Sequence, residues 1–180
     1  MLKNELLKTK NNQKFSLRDI IFTTVFTIAF IIHIVIMFIF YNELGFTLLT
    51  RVGWIVWIFS LYFGLIPFRT FKKRGGVEEG KSYVYTTKIV KDGPYAIIRH
   101  PQYLGGILFT ISISLWTQVL ISLVLSAILI ILIYHWTYTE DKNLIKKFGE
   151  DYKNYKENVP RLNPILGIIK YISQKRKNGQ

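Results

Sequence analysis

The sequence predicts an all-α integral membrane protein with about four membrane segments, two full spans followed by a helical hairpin. Three observations lead there. Half of the 180 residues are hydrophobic, and they fall in blocks with the charges between them. Residues 20–41 carry no charge; as a helix they reach roughly 33 Å, enough for a bilayer core of about 30 Å. Residues 48–68 carry one charge, Arg51, and residues 104–136 carry none. Finally, Lys and Arg gather in residues 1–19, 69–100 and 137–180, whereas the 42–47 connection has only Glu43. This asymmetry follows the positive-inside rule and places both termini and the middle loop in the cytosol.

Residues 1–19 are polar and basic, either a helix lying on the membrane surface or a loose cytosolic lead-in. The first block is too long for a signal peptide and no small-residue cleavage site follows it, so it reads as a span. Asn42 to Thr47, with Gly45, form a tight turn. The second span is expected to end at Pro67, with Arg69, Lys72, Lys73 and Arg74 as its cytosolic stop. Three parts result: the basic segment 1–19, two transmembrane helices over 20–68, and a C-terminal part over 69–180.

In that C-terminal part, Gly75 and Gly76 break the helix. SYVYTTKIV (82–90) is rich in β-branched and aromatic residues and prefers extended backbone. DGPY (92–95) reads as a turn in which Pro94 fixes φ. The apolar region 104–136 is too long for one span and short for two. Its most polar point, Thr117–Gln118, marks a hairpin with arms at about 103–116 and 119–139. The first arm falls below the usual ~17–25 residues of a span. The second continues past the membrane, with Leu144, Ile145, Phe148, Tyr152 and Tyr155 at helical spacing. It is interrupted by Gly149 and ended by Pro160 and Pro164. PILGIIKYI (164–172) reads as a short amphipathic piece resting on lipid.

The chain has no cysteine, which excludes disulfides, thiolate metal sites and a cysteine nucleophile. The net charge of +13 is explained by membrane topology, and no nucleic-acid recognition motif accompanies it. His33, His100 and His135 lie in different segments without ligand spacing, so no metal site is expected. His33, in mid-span, reads as a packed or hydrogen-bonded residue.

Two constellations carry chemistry. Arg99–His100–Pro101–Gln102–Tyr103 puts a residue disfavoured from helical geometry before a proline suited to the first helical position. A helix therefore starts at Pro101, with His100 at its open N-terminus. That end favours an anion, and Arg99 adds a full charge. The arrangement suits a carboxylate; equally, Arg99 can meet a lipid phosphate while His100 merely caps. The second constellation, Glu140–Asp141, can bind a cation or an amine at the membrane boundary. With Lys142, Lys146 and Lys147 nearby, it can also be a solvated continuation of the helix.

Together these stretches resemble the isoprenylcysteine carboxyl methyltransferase family and its relatives, the phospholipid N-methyltransferases. The family pattern is a Gly-x-Tyr turn, Arg-His-Pro-x-Tyr, a helical hairpin, Glu-Glu-x-x-Leu, Phe-Gly-x-x-Tyr-x-x-Tyr and a downstream proline. Here these stand as Gly93–Pro94–Tyr95, Arg99 to Tyr103, Glu140 to Leu144, and FGEDYKNY (148–155) followed by VPRLNP. The resemblance covers residues 87 to 164. It implies S-adenosylmethionine as cofactor in a cytosolic pocket, without a glycine-rich dinucleotide fingerprint. The cofactor contacts it implies are Thr87, Lys88, Ile89, Val90, Tyr95, His100, Pro101, Gln102, Tyr103 and Glu140. The catalytic set is Arg99, Tyr103 and Glu140, with Arg99 positioning an anionic group of substrate or cofactor. The implied partner is a lipid-like or prenylated substrate entering from the bilayer.

Two positions depart from the pattern. Asp141 replaces the second glutamate, and Trp136 stands where the carboxyl methyltransferases carry an arginine. Carboxyl O-methylation of an isoprenylcysteine-like substrate is the leading expectation, with N-methylation of a lipid amine beside it. Membrane sterol reductases, which use NADPH, share distantly similar C-terminal motifs, and a non-catalytic scaffold is the remaining alternative.

Overall fold

The computed structural model describes residues 17–77 and 86–179. Among them six α-helices occur and no strand: α1 Leu17–Ile39, α2 Thr47–Arg74, α3 Pro101–Thr117, α4 Leu120–Phe148, α5 Glu150–Asn158 and α6 Pro164–Asn178. A 3-10 turn over Gly93–Ala96 precedes α3. Among the described residues three stretches are long and apolar enough to cross a membrane: Ile20–Ile39 in α1, all of α2, and all of α4. At 17 residues, α3 is about 26 Å long, so it is the short arm of the hairpin and lies beside full spans.

The bundle carries its apolar side chains outward. Ile28, Phe38, Leu65 and Ile131 are exposed, while Ser60, Thr110, Ser112, Ser122, Ser126 and Thr137 are buried between helices. An apolar exterior of this extent marks contact with lipid. Small residues inside let backbones approach where lipid leaves no hydrophobic drive for helix association. The tightest crossing is α2 against α3. Ser60 Oγ donates to the Gly105 carbonyl at 2.9 Å, and a Cβ on Gly105 would stand 2.7 Å from the Gly64 nitrogen. His33 bridges α1 to the hairpin, its Nε2 lying 2.9 Å from Ser122 Oγ in a fully buried setting. It is the hydrogen-bonded residue its sequence context predicts.

The hairpin turns at Thr117–Gln118 as expected. Gln118 takes left-handed geometry, φ 58°, which is uncommon outside glycine, asparagine and aspartate. Its side chain supports that conformation. Nε2 donates to Asn42 Oδ1 (2.9 Å), the Phe46 carbonyl (3.0 Å) and Thr50 Oγ1 (3.0 Å), and Oε1 accepts from the Phe46 amide (3.1 Å). The Asn42 amide donates to the Trp116 carbonyl at 2.7 Å. The α1–α2 turn and the α3–α4 turn are therefore one hydrogen-bonded unit.

Several boundaries differ from expectation. The second span does not end at Pro67 but runs to Arg74. Pro67 is fully buried in the bundle, and Phe71 beyond it packs on Tyr95 with ring centroids 5.0 Å apart, so tertiary contact holds the turns past the proline. The hairpin arms are 101–117 and 120–148, longer than 103–116 and 119–139. Pro164 does not end a helix but opens α6, which is capped by Asn163 Oδ1 accepting from the Leu166 amide at 3.0 Å and continues to Asn178. The break between α4 and α5 is Gly149, whose φ of 60° and ψ of −133° belong to glycine. The extended preference of 82–90 falls partly on residues outside those described; Thr86 to Val90 form no regular element. The basic lead-in is outside them up to residue 16, and α1 takes up its last residues from Leu17.

Candidate active site

The site is built where the start of α3 meets the end of α4. Asp141 is 2% exposed and collects donors from three further parts of the chain. His100 Nε2 lies 2.8 Å from Oδ1, and the Tyr152 hydroxyl donates to the same oxygen at 2.6 Å. Arg161 donates to Oδ2 from Nε (3.1 Å) and Nη2 (2.9 Å), and Arg99 Nη2 stands 3.4 Å from that oxygen. A carboxylate has about four acceptor positions, and here all are used. One buried aspartate thereby locks two arginines, a histidine and a tyrosine.

The backbone supports the same arrangement. The Arg99 amide donates to the Pro160 carbonyl (3.0 Å) and the His100 amide to the Arg161 carbonyl (3.2 Å). Arg161 also lies over the Tyr138 ring, 3.6 Å from its centroid, a cation–π contact. Tyr155 donates to the Tyr95 carbonyl at 2.6 Å, which fixes the 3-10 turn to α5. Tyr152, Tyr155 and Val159 form a buried core with Ile89, Leu144, Ile145 and Phe148 around it. Burial, and then the hydrogen bond to Asp141, push the Tyr152 phenol well above its ordinary value. Burial likewise raises Tyr155. Both are neutral donors at physiological pH.

His100 occupies the N-cap position of α3, as the Pro101 signal predicts, although its ring turns to Asp141 and makes no cap bond. Pro101 is buried, and Gln102 and Tyr103 are half-buried in the first turn. The Tyr103 ring stands edge-on to His100, centroids 5.5 Å apart. Tyr95 is buried against Phe71. Val90 is buried, and Ile89 packs on the tyrosine core. Thr87 and Lys88 are exposed, and their amides both donate to the Gly75 carbonyl (2.8 and 3.1 Å) at the end of α2. Those two amides are spent within the protein. Trp136, at the departing position, faces α1 and stacks on Phe22 with centroids 4.9 Å apart.

Glu140 is half-buried and makes no hydrogen bond or ion pair among the described residues. The two acids therefore differ: Asp141 holds the site together and Glu140 is the carboxylate left available. Sequence reasoning paired Asp141 with Glu140 without separating their roles, read Tyr152 and Tyr155 as helical spacing and as part of the family motif without assigning them a site role, and missed Arg161. Its one signal was position, directly after Pro160 in VPRLNP. No group of acidic residues and histidines that could hold a metal ion occurs among the described residues.

Arg99 is the incompletely paired member of the cluster. Its side chain is 5% exposed, yet Nε and Nη1 are buried without a hydrogen-bond partner. A buried donor left in that state costs about 1–3 kcal/mol or more, so both nitrogens call for an acceptor that the described residues do not supply. An amino-acid headgroup fits this donor set. A carboxylate would complete Arg99 and the α3 N-terminus, and Glu140 would meet an ammonium.

The described helices form a membrane bundle in which a buried polar cluster joins Arg99 and His100 to Asp141, which defines the class as an integral membrane protein with a polar centre at one end of its helices. Comparison with known sequences assigns the family. The profile of phospholipid methyltransferases matches residues 48–151, more than half of the chain, and the protein belongs to that family. A methanethiol S-methyltransferase from Pseudomonas deceptionensis is 33% identical over 135 residues, 69% of this chain and 48% of its own length. A protein-S-isoprenylcysteine O-methyltransferase from Schizosaccharomyces pombe is 33% identical over 84 residues, 43% of this chain and 34% of its own. The chain thus spans about half or less of the length of these relatives. No solved structure matches it significantly.

Proposed function

We propose that this protein is an S-adenosylmethionine-dependent membrane methyltransferase acting on a lipid-like acceptor, with carboxyl O-methylation of an isoprenylcysteine-like substrate as its reaction. The observation that carries this reading is the incomplete pairing around Asp141: two buried nitrogens of Arg99, the residue before the α3 N-cap, lack a partner, and Glu140, one residue from Asp141, makes no hydrogen bond among the described residues. Family membership supports the reaction class. When bound, S-adenosylmethionine supplies a methyl group on a sulfonium, already a good leaving group.

The protein's own work is orientation, which contributes up to roughly 7–11 kcal/mol in well-aligned systems. Arg99, His100, Pro101, Gln102 and Tyr103 hold the cofactor's carboxylate end, Glu140 its ammonium or ribose hydroxyls, and Tyr95 with Thr87 to Val90 its adenosine side. Asp141, Tyr152 and Arg161 keep Arg99 and His100 in place. The acceptor reaches the site laterally from the bilayer, on the cytosolic side. A carboxylate acceptor needs no base. An amine acceptor must lose a proton, and of the four candidates Glu140, Asp141, His100 and Tyr103, Asp141 is saturated by donors while Glu140 is free to take it. That availability, with Trp136 facing α1 where the carboxyl methyltransferases carry arginine, favours lipid-amine N-methylation as the second reading.

The test is titration of detergent-purified protein with S-adenosylhomocysteine, beside a His100→Ala/Glu140→Ala variant and with NADPH as control. Transfer of labelled methyl to a farnesylated cysteine or to phosphatidylethanolamine then assigns the acceptor. Saturable binding that the variant loses is the expected result. Folded protein that ignores S-adenosylhomocysteine, or binds NADPH instead, would falsify the proposal.

A further inference from the structure

Helix α6 presents two different faces. Gly167, Lys170 and Gln174 turn toward the protein. A Cβ on Gly167 would collide with the Ile97 carbonyl oxygen, Lys170 Nζ donates to the Glu157 carbonyl at 3.1 Å, and Gln174 Nε2 donates to Asn158 Oδ1 at 3.1 Å. These contacts fix how the helix is rotated. The other face carries Ile165, Ile168, Ile169 and Ile172 at the i, i+3, i+4, i+7 spacing of one apolar stripe. They are 72%, 45%, 60% and 46% exposed. The last turn adds Lys175, Arg176 and Lys177, all exposed and in no ion pair among the described residues.

We propose that this face is a seat on a lipid surface bearing anionic headgroups, with the four isoleucines entering the acyl boundary and the three cations meeting the headgroups. Three features select lipid as the occupant. The helix belongs to a protein whose bundle already stands in a bilayer, and it lies at the same end of that bundle as the polar cluster, held there through α5 and Ile97. An isoleucine stripe beside a basic turn has the composition of an interfacial helix. The cations complement the negative potential of an anionic leaflet, to which each Lys or Arg adds roughly fivefold in affinity. The seat is not mechanically separate from the cluster, because Gly167 rests on Ile97, two residues before Arg99.

The test uses the full chain, which has no native cysteine. An environment-sensitive fluorophore is placed at Ile169→Cys, and in a second protein at Ile168→Cys. Each is reconstituted in vesicles of phosphatidylcholine alone or with phosphatidylglycerol, with nitroxide-bearing lipid as quencher. Blue-shifted emission, quenched several-fold more strongly when phosphatidylglycerol is present, is expected at both sites. Lys175→Gln/Arg176→Gln/Lys177→Gln should remove the phosphatidylglycerol-dependent part. Water-like, unquenched emission in both vesicle types overturns the seat. Quenching that ignores phosphatidylglycerol overturns the headgroup recognition. Energy transfer between differently labelled copies would reassign the stripe to contact with a second chain.

Discussion

His100 Nε2 and Asp141 Oδ1 lie 2.8 Å apart, both buried, joining the residue before α3 to the end of α4. The contact matters because the same carboxylate also holds Tyr152, Arg161 and Arg99.

Asp141 and its neighbour therefore separate into two phenotypes. Asp141→Asn leaves the buried Arg99 and the half-buried Arg161 without their counter-charge, a change that costs about 3–5 kcal/mol. It should lower the thermal midpoint in detergent by about 10 °C. Glu140→Gln removes no contact among the described residues and should leave the midpoint nearly unchanged. It should weaken S-adenosylhomocysteine roughly tenfold or more, the loss of one charge-assisted hydrogen bond. Equal destabilisation by the two changes would defeat this division.

Tyr152 gives a prediction in alkaline pH. Its folded value lies above the unfolded value of about 10, so the folded state keeps the proton longer. The stabilisation is complete below about pH 10 and is lost as pH rises beyond it. Ultraviolet titration of native protein should show the same phenolate signal for wild type and Tyr152→Phe up to the onset of unfolding. In denaturant the variant should lack one phenolate. A native-state difference near pH 10 would place Tyr152 in contact with solvent.

Two adjacent glycines should respond oppositely to alanine. At Gly105 the new Cβ meets the Gly64 nitrogen at 2.7 Å and the Ser60 carbonyl at 3.0 Å. The change should cost about 1–3 kcal/mol by forcing α2 from α3. At Gly106 the nearest atom is Ile133 Cδ1 at 3.5 Å, an ordinary contact, and alanine gains up to about 1 kcal/mol of helix propensity. Thermal midpoints of the two variants check this directly.

His33→Leu should cost about 1 kcal/mol, the scale of an interhelical hydrogen bond within a membrane. It should leave S-adenosylhomocysteine affinity unaltered, because His33 serves only the α1–hairpin contact through Ser122. A parallel loss of affinity would draw α1 into the ligand site.

The parts legible in the sequence were those written in local chemistry. Charge-free blocks gave the spans, Thr117–Gln118 gave the hairpin, and Pro101 gave the start of α3. Boundaries set by tertiary contact were not legible: Pro67 sits inside a helix because the bundle buries it. Arg-His-Pro and the acid pair were visible as motifs, but which acid organises the cluster was not. That depends on Arg161 and Tyr152 reaching Asp141 from beyond Gly149, a convergence of segments that no spacing rule encodes.

The clasp between Gln118 and the Asn42–Thr50 segment has a consequence for sidedness. At the bundle end opposite the Asp141 cluster, the described residues present the turns 40–46 and 118–119, and these are bonded to each other. A protease added from that side would meet Tyr41, Leu44 and Phe46 exposed, but on backbone tied to the neighbouring turn, whereas a small impermeant label could reach their side chains. Among the described residues, access from that end is therefore access to a knot of two tied turns, where a label can attach but a protease finds no free loop to unravel.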